Sequence, residues 1–103
     1  MTRQVRYTPS ARSDLIDILD YITRESGNRA TGRRFVRTLR SRCDVIARFP
    51  GEIGTARPEI GQDIRGLPFG NYVIFFRYAA RSVEILNFVE GHRDLDAFFG
   101  KPS

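Results

Sequence analysis

The chain reads as an α+β fold of order β-α-α-β-β-β, an antiparallel sheet packed against an α-hairpin, with a short C-terminal helical turn. Three observations predict it. Between Ala11 and Ala47 the apolar residues recur at helical spacing, broken once at Gly27-Asn28. From Ile64 to Val89 they instead form short alternating or continuous blocks rich in Val, Ile, Phe and Tyr. A length of 103 residues with 41% hydrophobic and 28% charged content supports one core and leaves no room for a second, so residues 1–103 are expected to form a single domain.

Residues 3–8, RQVRYT, alternate as a short strand does, and Pro9-Ser10 closes it with Ser10 as the expected helix N-cap. Ala11, Leu15, Ile18, Leu19 and Ile22 then follow the 4-3-1-3 spacing of one helix face, with Asp14, Asp17 and Asp20 expected on the other side. Gly27-Asn28 supplies a left-handed C-cap and a new N-cap almost without a linker, which joins two antiparallel helices. The second helix is expected from Arg29 to Arg48, ahead of Pro50-Gly51, with Phe35, Val36, Leu39, Cys43, Ile46 and Ala47 as its apolar stripe.

Residues 50–63, PGEIGTARPEIGQD, read as an irregular crossing because Gly and Pro punctuate them. Ile64 to Leu67 is expected as a short strand and Pro68 to Asn71 as a turn. Asn71 to Tyr78, NYVIFFRY, is too continuously apolar for a one-sided surface strand and should be central to the sheet. Ala79 to Ser82 turns the chain into the next strand, Val83 to Val89. Gly91 then releases the chain from the sheet, and Asp94 to Phe99 is long enough only for a helical turn. Leu19, Leu39, Ile74 and Ile85 should meet in one core.

No apolar run approaches the ~20 residues of a membrane span, and the start, MTRQVRYTPS, lacks the apolar core of a signal peptide, so a cytoplasmic protein is expected. Cys43 is the only cysteine, which excludes an intrachain disulfide and a thiolate metal cluster; its place on the apolar stripe makes it a core residue. No metal and no cofactor is expected. Three aspartates on one outer helix face, with no histidine near them in sequence, are a poor metal set.

The net charge is +5 and the pI about 10.1, which points to an anionic partner. The excess lies in the first half: eleven arginines stand against five acids up to Pro50, and six basic residues against seven acids from Gly51 onward. At about 100° per residue, Arg29, Arg33, Arg37 and Arg40 fall within roughly 80° of one another on helix two, a basic contact stripe. Either they form a solvated face partly neutralised by the acids of helix one, or they contact an acidic partner segment or DNA.

The segments SARSDLIDILDYI, IARFPG, ARPEI, LPFGNYVIFFRY and VEILNFVEGHRDLDAFF, in this order and spacing, resemble the RelE/ParE superfamily of type II toxin-antitoxin toxins, most closely its ParE branch. The resemblance runs from Val5 to Phe99. It implies a toxin that inhibits DNA gyrase by binding and is neutralised by a cognate antitoxin. The antitoxin it implies is a ribbon-helix-helix DNA-binding protein, through which alone the toxin would reach operator DNA. RelE-type members are implied instead to be ribosome-dependent mRNA endonucleases.

The chemistry weighs these alternatives. Cleaving RNA requires an activated 2′-hydroxyl, a stabilised phosphate charge and a protonated leaving oxygen. Arg65, Arg77, His92 and Arg93 are the candidate catalytic set for that reading, but no lysine precedes Lys101 and no tyrosine follows Tyr78. His92 has a plain alternative as a strand-end residue bonded to backbone or Asp94, and Arg65 and Arg77 as cross-strand partners of Glu84 or solvated residues. The leading expectation is therefore a gyrase-binding inhibitor with no catalytic residues. A non-toxic antitoxin-binding module of the same fold is the third reading. The expected antitoxin contacts are Arg77, Arg93, Leu95, Phe98 and Phe99, beside the groove between sheet and hairpin.

Overall fold

Both helices form where the apolar spacing places them. A computed structural model describes residues 2–91. Its elements are β1 (Gln4–Tyr7), α1 (Pro9–Ser26), α2 (Arg29–Arg48), β2 (Thr55–Ala56), β3 (Arg65–Phe69), β4 (Tyr72–Tyr78) and β5 (Ser82–Glu90). The expected terminal turn at Asp94–Phe99, with His92 and Arg93, lies outside the described residues.

Thr8, rather than Ser10, is the N-cap of α1, its hydroxyl oxygen accepting from the Ala11 N–H at 3.1 Å. Pro9 explains the shift, because its fixed φ and missing N–H suit the first helical position and put the cap on the residue before it, two upstream of Ser10. At the hairpin, Gly27 takes φ 68° as the C-cap, and the Asn28 side chain accepts from Ala30 and Thr31. The helices pack tightly at Gly32, where an added Cβ would lie 2.5 Å from Thr23 Oγ1 and 3.1 Å from Leu19 Cδ1.

The sheet order is β1-β5-β4-β3-β2, so β4 is central as its unbroken apolar run requires. Tight turns make β3, β4 and β5 antiparallel; Gly70, at φ 58°, begins the two-residue turn between Phe69 and Tyr72. β1 pairs with β5 in parallel, a departure from a wholly antiparallel sheet. No hairpin joins them, since both helices and three strands intervene, and a long connection leaves strand direction unconstrained.

Two further differences have local causes. The crossing contains β2, whose two residues pair with Arg65 and Gly66; two residues carry no readable periodicity. Pro68 lies inside β3 rather than in the turn. The Ile64 carbonyl accepts from Arg57, so Ile64, Gly66 and Pro68 direct their backbone groups away from β4. β2 ends before Pro68, and no ladder bond is required of its missing N–H.

The core joins Ala11, Leu15 and Ile18 of α1, Leu39, Cys43, Ile46 and Ala47 of α2, and Tyr72, Ile74, Phe76, Val83, Ile85 and Phe88 of the central strands. Leu39, Ile74 and Ile85 are fully buried as expected. Leu19 is not in this core: it is half-buried at the hairpin seam, one residue and about 100° past Ile18.

Candidate functional site

Arg65 and Arg77 stand on opposite faces of the sheet. Arg65 lies opposite Phe76, whose side chain enters the core against the helices, whereas Arg77 is the next residue of β4 and points the other way. Each is also occupied. Arg65 donates from Nε to the Ile53 carbonyl and from a terminal nitrogen to the Gly54 carbonyl, both at 2.9 Å, and Glu52 lies 3.9 Å away. It thereby holds the crossing segment where Gly54 takes φ 87° beside Phe76. The Arg77 Nε donates to Glu84 Oε1 at 2.7 Å, directly across the strands. That pair is exposed and contributes at most about 1 kcal/mol. The pairing with Glu84 expected for either arginine is thus made by Arg77, and Arg65 fastens a loop.

Asp14 is not on an outer face. Its Oδ2 accepts from the Phe88 N–H at 3.0 Å and from Asn87 Nδ2 at 3.2 Å. The cause is a bulge: Phe75 pairs with Asn87 and Phe76 with Ile85, which leaves Leu86 unpaired in the ladder. β1 has ended by then, so α1 completes the edge of β5, with the Thr8 hydroxyl donating to the Leu86 carbonyl and Asp14 serving Phe88. Helical spacing alone could not show this, because Asp14 is one residue from Leu15 and reads as polar flank.

Past this point α1 and the sheet diverge into a cleft of about 390 Å³, lined by Ile18, Tyr21, Arg24, Tyr72 and Phe88 among others. It lies between α1 and the sheet. Tyr21 is exposed on its rim. Arg77 does not line it, being on the other face. Sequence reasoning missed Tyr21 and Arg24 here; both follow the apolar face of α1 by one turn, which was the available signal.

A second depression, about 420 Å³, lies on the outer side of the hairpin and gathers Arg33, Arg37 and Arg40 with Leu19, Val36 and Asp44. Arg29 does not line it. None of the ion pairs among the described residues joins the stripe to an acid of helix one. Arg40 lies over the Tyr7 ring at 5.2 Å, one of four such contacts among the described residues, which also place Arg3 over Tyr78, Arg42 over Phe69 and Arg57 over Phe75. A guanidinium group over an aromatic face is attracted by the ring's negative face, and arginine makes such contacts more often than lysine.

Cys43 is fully buried. Burial pushes its thiol from an ordinary 9.0 up to about 12, and raises the neighbouring Tyr7 hydroxyl as well. Both groups hold protons in the fold that the unfolded chain releases at lower pH. Stability should therefore fall as pH rises from about 9 toward about 12, and be unaffected by these groups below that window. The native thiol should resist a disulfide reagent at about pH 8 and react at once in denaturant. Rapid labelling of the folded protein would contradict the burial. No three His, Cys, Asp or Glu residues among those described cluster as metal ligands do, and none of the helices among them is long and apolar enough to cross a membrane.

A family model described as ParE toxin of type II toxin-antitoxin system, parDE, matches residues 5–95. Among solved structures, a chain of the "Chromosomal ParDE TA system from P. aeruginosa" superposes with a TM-score of 0.71, covering 86% of this chain and 96% of that one. The identity is 19%, so that likeness is one of fold. No curated protein sequence matches.

Proposed function

The chain belongs to the ParE toxin family of type II toxin-antitoxin systems, and from that premise we propose that it inhibits DNA gyrase by binding, without an active site of its own, until a cognate antitoxin neutralises it. An antitoxin partner is inherent in such a system. The gyrase target and a ribbon-helix-helix antitoxin that alone carries the complex to operator DNA are parts of this proposal, as is a single domain over residues 1–103 in the cytoplasm.

One observation carries the choice of binding over catalysis. A phosphoryl-transfer site needs its cations converging on one phosphate, and Arg65 and Arg77 diverge to opposite faces, one bonded to loop carbonyls and the other to Glu84. Antitoxin contact at Arg77, Arg93, Leu95, Phe98 and Phe99 fits the same reading. Arg77 is accessible on the open face, where an antitoxin carboxylate would compete with Glu84 for it.

The test sets purified toxin with gyrase and supercoiled plasmid beside toxin with translating ribosomes. Linear plasmid or lost supercoiling supports the proposal. Cut mRNA would replace it with the endonuclease reading, and neither product would leave an antitoxin-binding module. In cells, His92→Ala should leave toxicity within a few fold, because no proton transfer depends on it. A loss of orders of magnitude in a folded variant would contradict this.

A further inference from the structure

We infer that the outer face of α2 is a contact surface for the phosphate backbone of duplex DNA, which the toxin binds directly and without sequence preference.

The whole basic excess of the chain sits on this helix. α2 carries seven arginines against one acid, Asp44, while the rest of the chain holds ten basic residues against eleven acids. All seven arginines are exposed, and none enters an ion pair among the described residues. Like charges one helical turn apart repel, and Arg29, Arg33 and Arg37 follow one another at four-residue steps, with Arg40 three residues further on. The acids of α1 are turned elsewhere: Asp14 and Asp17 line the cleft on the sheet side of that helix. The positive field of α2 therefore faces outward, where an anionic partner would relieve it.

The surface is also shaped. The depression that gathers Arg33, Arg37 and Arg40 shares Arg40 and Asp44 with a third one of about 480 Å³, whose lining continues through Arg48 and, from the β1 side, Gln4 and Tyr7. Together they make one trough along α2, with Asp44 as the only carboxylate among its described lining residues. The contact with the Tyr7 ring holds the Arg40 guanidinium where the two halves meet.

Charge and spacing select the occupant. Arg33 to Arg40 spans seven residues, about 10 Å along the helix, and one strand of a duplex passes about three phosphates in that distance. Guanidinium groups bind phosphate oxygens through paired hydrogen bonds. A protein partner would need an apolar anchor at its centre. None of the exposed large apolar side chains among the described residues, Ile16, Tyr21 and Phe49, belongs to α2, and Leu19 and Val36 in the trough are already half-buried. A second copy of the chain would bring arginines against arginines, which repel. Phosphate contacts position a protein and carry no sequence information, so the choice of operator stays with the antitoxin. Gyrase acts on duplex DNA, and on the gyrase reading, on which this last step alone rests, the face meets the substrate of the target beside the target itself.

The test follows the fluorescence anisotropy of a labelled random-sequence DNA duplex titrated with full-length toxin as wild type, Arg33→Gln/Arg37→Gln, Arg33→Lys/Arg37→Lys and Arg12→Gln/Arg24→Gln, each first confirmed folded by circular dichroism. Neutralising the trough should weaken binding at least about tenfold, whereas the lysine variant and the α1 variant, which loses the same net charge, should stay within about threefold of wild type. The logarithm of affinity should fall with the logarithm of salt at a slope of about −3 for wild type and about −1 for the neutralised trough. Equal weakening by both glutamine variants would overturn the site, because net charge alone would then explain the binding. Absence of binding by the wild type, or displacement of the duplex by polyglutamate at equal charge, would overturn it as well, and tighter binding of single-stranded RNA would reassign the face. Each of these outcomes leaves the gyrase reading standing, because inhibition of supercoiling by the same wild-type toxin reports on that separately.

Discussion

Phe76→Ala is expected to remove about 3–5 kcal/mol of stability, a large share of the ~5–15 kcal/mol that holds such a domain together. The ring is fully buried at the centre of the sheet. It stands edge-on to Tyr78, with centroids 5.6 Å apart, and would lie only 3.0 Å from a Cβ placed on Gly54. Its loss therefore opens the core and also loosens the crossing segment that Arg65 fastens. Leu39→Ala, at a fully buried position of α2, should cost about 2–5 kcal/mol from the other side of the same core. Chemical denaturation measures both. Either variant melting within a degree or two of the wild type would mean that the hairpin does not pack on β4 and β5 as described.

Asp14→Ala should cost about 1–3 kcal/mol, far more than an aspartate on an outer helix face could. The carboxylate is the partner of the Phe88 N–H at a bulge that β1 does not reach. Removing it leaves a part-buried donor without an acceptor. Asp14→Asn retains a side-chain carbonyl for that bond and should recover much of the loss. Hydrogen exchange gives the local reading: the Phe88 amide should exchange faster in the alanine variant and remain protected in the asparagine one. If alanine were neutral and Phe88 equally protected, α1 would not complete the edge of β5.

Asp14 also marks where the sequence stopped being legible. The hairpin could be read because its signals are local: five apolar positions at helical spacing, a glycine able to take φ 68°, and an asparagine beside it. The central place of β4 could be read from residues 72–78 alone, since only a strand covered on both faces can afford Ile74, Phe75 and Phe76 in succession. What escaped depends on contacts distant in sequence. The parallel direction of β1, the bulge at Leu86 and the bond from Asp14 to Phe88 each join residues more than seventy positions apart or depend on a partner strand's register. The candidate site divides in the same way. Alternation puts Arg77 on the face of β4 shared with Val73 and Phe75, but which face meets the helices depends on packing, and Arg65 could be placed only once Pro68 lay inside β3, which fixes the register with β4. The basic stripe was legible as a pattern on α2. The leucine beside it was not, because Leu19 comes from the other helix.

On the proposal made above, this toxin works by occupying its target and not by turning over a substrate. The direct measurement is a stoichiometric titration of purified toxin against a fixed amount of gyrase, with supercoiling and RNA integrity on translating ribosomes followed in parallel. Inhibition that rises in proportion to added toxin, saturates near equivalence with gyrase, leaves mRNA intact and is reversed by an equivalent of antitoxin is the predicted result. Cleavage of many mRNA molecules per toxin molecule, with gyrase activity unchanged at the same concentration, would contradict it.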